Sequence, residues 1–151
     1  MIPGARYVHT NLIARDWRAL SRFYEDVFGC AVVPPERDFS GPELEAGSAV
    51  PRARLQGAHL RLPGHGSDGP TLEIFQYSEL ASALEPVANR PGFGHIAFSV
   101  PSVAEARALV LARGGRAVGE VVKLATSTGA EVTWCYVADP EGNLLELQAW
   151  S

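Results

Sequence analysis

Val8-His9-Thr10-Asn11-Leu12-Ile13-Ala14 and Gly94-His95-Ile96-Ala97-Phe98-Ser99-Val100 are the two stretches on which the fold turns. A shift of 86 positions, the difference between 9 and 95, lays His9 on His95, Leu12 on Phe98 and Ala14 on Val100. The same shift carries Gly29 onto Gly115. Further along, Thr71-Leu72-Glu73-Ile74-Phe75 matches Leu144-Leu145-Glu146-Leu147-Gln148 in character. Each half therefore opens on a strand bearing a His and closes on a strand bearing a Glu. A repeat of this kind points to one supersecondary unit used twice.

The elements between those strands follow the same order in both halves. After a first strand over residues 7–14, Asp16 is a good N-cap, and Trp17, Leu20, Phe23, Tyr24 and Val27 recur at helical spacing up to Phe28. Gly29 ends the helix as a C′ glycine should. A short strand is expected at 31–34. Residues 35–51, rich in Pro, Gly and acidic side chains, read as an irregular segment suited to closing over a site. Strands at 53–62 and 71–77 flank a solvated turn at 63–70, and 78–91 reads as a linker with one helical turn. The second half gives a strand at 94–100 and a helix at 102–113 stopped by Gly114-Gly115. Strands follow at 116–124, 131–138 and 143–150, the last two joined by Asp139-Pro140-Glu141-Gly142-Asn143. The expectation is a single α+β domain with module 1 at about 5–77 and module 2 at about 92–151.

Composition narrows the function. The chain has 151 residues, 46% apolar and 20% charged, ordinary values for a globular protein. Its 13 Lys and Arg are scattered and the formal charge is −4, so neither nucleic acid nor an anionic membrane is an expected partner. The N-terminal stretch lacks the pattern of a secretory signal, and no apolar run approaches the roughly 20 residues that cross a bilayer. Cys30 and Cys135 sit in apolar strand-like segments and read as reduced core thiols, which points to the cytoplasm.

Alternation along the strands brings out the chemistry. His9, Glu73, His95 and Glu146 each face away from an apolar stripe that can pack on a helix. A bare carboxylate buried on a sheet face is costly, and a divalent cation removes that cost for two carboxylates at once. Two imidazoles and two carboxylates suit Ni, Co, Zn, Mn or Fe, with a position left for water or substrate. His59 lies mid-strand without a histidine counterpart in the other half, and His65 lies in a glycine-rich turn, so neither is placed among the ligands. Glu43 and Glu45 read as solvated, Arg52, Arg54 and Arg61 as candidates to meet an anionic substrate, and at least one of Trp134 and Tyr136 as core.

The order of elements, the Asp139-Pro140-Glu141-Gly142-Asn143-Leu144-Leu145-Glu146-Leu147 ending and the Gly94-His95-Ile96-Ala97-Phe98 strand together resemble the vicinal oxygen chelate superfamily. That superfamily includes glyoxalase I, methylmalonyl-CoA epimerase, extradiol dioxygenases and bleomycin-binding proteins. The resemblance implies tandem βαβββ modules forming an open, cup-shaped mixed sheet with helices outside, one divalent metal, a small-molecule substrate and a homodimer. The His–Glu–His–Glu set resembles glyoxalase I most and the epimerase closely. It implies a lyase or isomerase that moves a proton next to a carbonyl. The metal would polarise the carbonyl, and Glu146 or Glu73 would carry the proton. Bacterial glyoxalase I holds glutathione through an Arg four residues after the first His and an Asn four after the first Glu. Here Ile13 and Tyr77 stand in those places, against a glutathione substrate. The alternatives are an extradiol-type dioxygenase using His9, His95 and Glu146, and a ligand-binding or resistance protein without turnover.

Overall fold

The computed structural model describes residues 1–82 and 87–151. The chain divides into two compact units, Met1–Ser82 and Ala83–Ser151. The helical turn expected within 78–91 falls partly on residues 83–86, outside the described residues.

In unit 1, β1 (His9–Ile13) leads into α1 (Trp17–Phe28), then β2 (Ala31–Ser40), α2 (Pro42–Ser48), β3 (Arg54–Arg61) and β4 (Thr71–Tyr77). The sheet order is β1-β4-β3-β2, with β1 parallel to β4 and the other pairs antiparallel. Asp16 caps α1, its side chain accepting from the Ala19 N–H at 2.9 Å. Gly29 closes it at φ 70°, in the left-handed region that favours glycine. The helix buries Trp17, Leu20, Phe23 and Tyr24 and packs on β3 and β4, where Ala58, Leu60, Leu72 and Ile74 are buried. Burying such a Leu or Ile contributes roughly 1.5–3 kcal/mol.

Unit 2 repeats this order. It runs β5 (Ile96–Ser99), α3 (Val103–Ala112), β6 (Arg116–Ala117), β7 (Val122–Ala125), β8 (Glu131–Ala138) and β9 (Leu144–Trp150). Its order is β5-β9-β8-β6, with β7 also on β8 and β5 parallel to β9. Helix α3, capped by Ser102, packs on β8 and β9, where Cys135, Val137, Leu145 and Leu147 are buried. The Asp139–Asn143 turn is held by Asp139 itself. Its Oδ1 accepts from the Glu141 and Asn143 N–H groups, and its Oδ2 from Asn143 Nδ2, each at 2.9 Å.

Two expectations need correction. Residues 35–51 are not irregular, because β2 continues to Ser40 and α2 follows. The ladder to β3 is interrupted between Val33 and Arg37, where Pro34-Pro35 cannot donate to it, and that gap hid the strand. Pro42 at the start of α2 and acidic Glu43 and Glu45 in its first turn are ordinary helix-start signals. The strand expected at 116–124 is two short strands, β6 and β7. Between β7 and β8 the chain makes a tight hairpin turn, closed by Thr126 N–H to Ala130 O at 2.8 Å. No helix among the described residues is long and apolar enough to cross a membrane.

Candidate metal centre

Strand register decides which side chains meet. In unit 1, Asn11 lies opposite Glu73 on the neighbouring strand, and Glu73 lies opposite His59. His59 in turn lies opposite Val33, and Gly57 opposite Arg37. Residues paired in this way share a face. His9, Asn11, Thr71, Glu73, Phe75, Gly57 and His59 therefore occupy the face turned away from α1. Gly57 is required there, because a Cβ would meet the Ile74 carbonyl at 2.1 Å and the Phe75 ring at 2.4 Å.

Glu73 is the buried carboxylate of this face. Its Oε1 lies 2.8 Å from His59 Nε2. Its Oε2 accepts from Asn11 Nδ2 at 2.8 Å and lies 3.5 Å from His9 Nε2. The other ring nitrogen of His59, Nδ1, is 2.9 Å from Thr71 Oγ1. The rings of His9 and His59 meet edge-on with centroids 5.7 Å apart. One ligand atom from each of His9, His59 and Glu73 can be chosen with all three within 4.8 Å of one another. Burial, ahead of the opposing pull of Glu73, holds His59 below the usual histidine range, and Arg37 and His9 push the same way as burial. A neutral imidazole is the form that binds metal.

Unit 2 builds the corresponding pair. His95 Nε2 is 3.1 Å from Glu146 Oε2. Ala97 lies opposite Glu146 where unit 1 has Asn11 opposite Glu73. Tyr136 lies opposite Glu146 where unit 1 has His59 opposite Glu73, and its ring centroid is 5.0 Å from that of His95. Trp134 stacks edge-on against Tyr136, on the same face, and its Nε1 is buried with no acceptor among the described residues. The four sequence-derived candidates thus fall into two His–Glu pairs, one per unit.

The sequence places His59 outside the ligands for want of a histidine counterpart; the structure sets it beside Glu73, and its counterpart in unit 2 is Tyr136. The signal was available as a reflection through the 63–70 turn, since an antiparallel hairpin about that turn pairs 59 with 73. Arg6 and Arg37 lie near His59. With Tyr7, Val33, His59 and Thr71 they line a cleft of about 320 Å³. Of the arginines singled out from sequence, Arg52 is 3.9 Å from Glu79 and Arg54 is 3.5 Å from Asp38, while Arg61, opposite Thr71, is exposed on the same face as His59. His65 is exposed in its turn, as expected.

Residues 6–147 match the Glyoxalase/Bleomycin resistance protein/Dioxygenase superfamily. The chain belongs to that superfamily. Solved structures of similar fold include a glyoxalase family protein from Bacillus cereus, 17% identical, with a TM-score of 0.82 over 99% of both chains. A glyoxylase/bleomycin resistance protein/dioxygenase domain from Frankia sp. is 18% identical, with a TM-score of 0.58 over 97% of this chain and 98% of that one. A glyoxalase I mutant from Zea mays is 19% identical, with a TM-score of 0.63 over 95% of this chain and 44% of that one. At these identities the likeness is one of fold. No curated protein sequence matches the chain.

Proposed function

We propose that this superfamily member is a metal-dependent, glyoxalase- or epimerase-like lyase or isomerase that moves a proton next to a carbonyl of a small substrate. One divalent ion would be held by His9, Glu73, His95 and Glu146. The observation that carries this reading is the repeated pair: His9 beside Glu73 and His95 beside Glu146, each His preceding its Glu by the same strand offset. Two imidazole nitrogens with two carboxylate oxygens fit a borderline divalent cation, Ni, Co, Zn, Mn or Fe. Such an ion would supply Lewis acidity toward a substrate oxygen.

The chain's own residues divide the remaining work. Glu73 is fixed at both oxygens, by His59 and by Asn11, whereas Glu146 has His95 as its sole side-chain partner among the described residues. Of the two carboxylates, Glu146 is therefore the freer to take a proton from carbon and return it. Ile13 and Tyr77 leave no cationic or amide anchor for glutathione at their positions, which supports a different carbonyl or thioester substrate. The two modules act as one domain in a cytoplasmic homodimer, and the two buried free thiols agree with a reducing compartment.

Elemental analysis tests the reading. Purified protein should carry about one divalent ion per chain, and a Glu73→Ala, Glu146→Ala double variant should carry almost none. Parent protein that holds no metal and cannot be loaded would overturn the enzymatic reading in favour of ligand binding without turnover.

A further inference from the structure

His59 has no place in the ligand set deduced from the repeat, yet it is the histidine nearest to Glu73. We propose that His59 is itself a metal ligand, so that unit 1 supplies a two-histidine, one-carboxylate set from His9, His59 and Glu73. This rests on the metal reading above and adds a residue to it.

Three observations support it. The first is reach. Ligand atoms about 2.1 Å from one ion and at right angles to each other lie about 3 Å apart. His59 Nε2 and Glu73 Oε1 are 2.8 Å apart, and His9 Nε2 and Glu73 Oε2 are 3.5 Å apart. The second is orientation. Metal-binding imidazoles have the far ring nitrogen tied to an oxygen, which fixes the ring and sets the tautomer. His59 Nδ1 has Thr71 Oγ1 at 2.9 Å. A hydroxyl both donates and accepts, so Thr71 can hold the ring with the Nδ1 proton present, which frees the Nε2 lone pair. The third is that Asn11 holds Glu73 through Oε2, so Oε1, on the His59 side, is the oxygen left to share an ion with that ring.

Unit 2 cannot supply the same set, because Tyr136 stands where His59 stands in unit 1. The competing account makes His59 a positioning residue that only hydrogen-bonds Glu73.

Imidazole 15N resonances, recorded before and after one equivalent of diamagnetic Zn²⁺ in the full chain, separate the two accounts. The expected result is that His59→Gln binds zinc more weakly and shows one metal-shifted ring nitrogen fewer than the parent. Thr71→Val should bind zinc about tenfold to a hundredfold more weakly with the number of shifted rings unchanged. If His59→Gln fails to fold by circular dichroism, the His59 ring assigned in the parent decides, its Nε2 shifting on zinc addition while Nδ1 keeps its proton. Zinc bound with the His59 resonance unmoved, or with equal numbers of shifted rings in parent and His59→Gln, overturns the ligand role and leaves the four-residue centre standing. No ring shifting in the parent overturns both.

Discussion

Glu73 and Glu146 occupy equivalent strand positions but differ in their neighbours. Asn11 donates to Glu73, while Ala97, at the matching position, has nothing to donate to Glu146. Asn11→Ala should therefore loosen the Glu73 carboxylate and weaken metal binding about tenfold to a hundredfold, measured by competition with a chelator. Ala97→Asn should do the opposite at Glu146, slowing turnover while metal content holds. At the same scale, burial pushes the Cys30 thiol up to about 11 and raises that of Cys135. At pH 8 the Cys30 thiolate is then about a thousandth of the total. Iodoacetamide at that pH should leave both cysteines unmodified in folded protein and alkylate both in denaturant, as mass spectrometry would record.

At the scale of elements, close contact rather than composition limits what can change. Gly57→Ala places a methyl against the Ile74 carbonyl and the Phe75 ring, so β3 and β4 must separate. A loss of about 2–3 kcal/mol in chemical denaturation is expected. Asp16→Ala, which removes the cap of α1, should cost about 1 kcal/mol in the same measurement. The same elements explain what was legible beforehand. Helix α1 was readable because its cap, its apolar spacing and its Gly29 stop agree, and β4 because Leu72 and Ile74 flank Glu73 in alternation. Strand β2 was readable only as far as residue 34, because Pro34-Pro35 breaks both the alternation and the ladder. The His9–Glu73 and His95–Glu146 pairs were legible from repetition alone. His59 was not, because its relation to Glu73 lies across an antiparallel pair, and repetition compares halves rather than neighbouring strands.

Across the whole molecule, a metal that binds only folded protein stabilises it by mass action. At a hundredfold excess over Kd the gain is about 2.7 kcal/mol, which for a chain of this length raises Tm by about 5–10 °C. Scanning calorimetry should find that rise in the parent and lose it in the Glu73→Ala, Glu146→Ala variant. Strand β2 bears on how copies of the chain can associate. It is the outermost strand of its sheet, with one edge unpaired. Neither Pro34 nor Pro35 carries an N–H, so a strand laid along that edge meets no donor from either. A second chain seeking to extend this sheet at β2 would find a missing rung and the charged side chains of Arg37 and Asp38 beside it. Sheet extension by a second copy is blocked there.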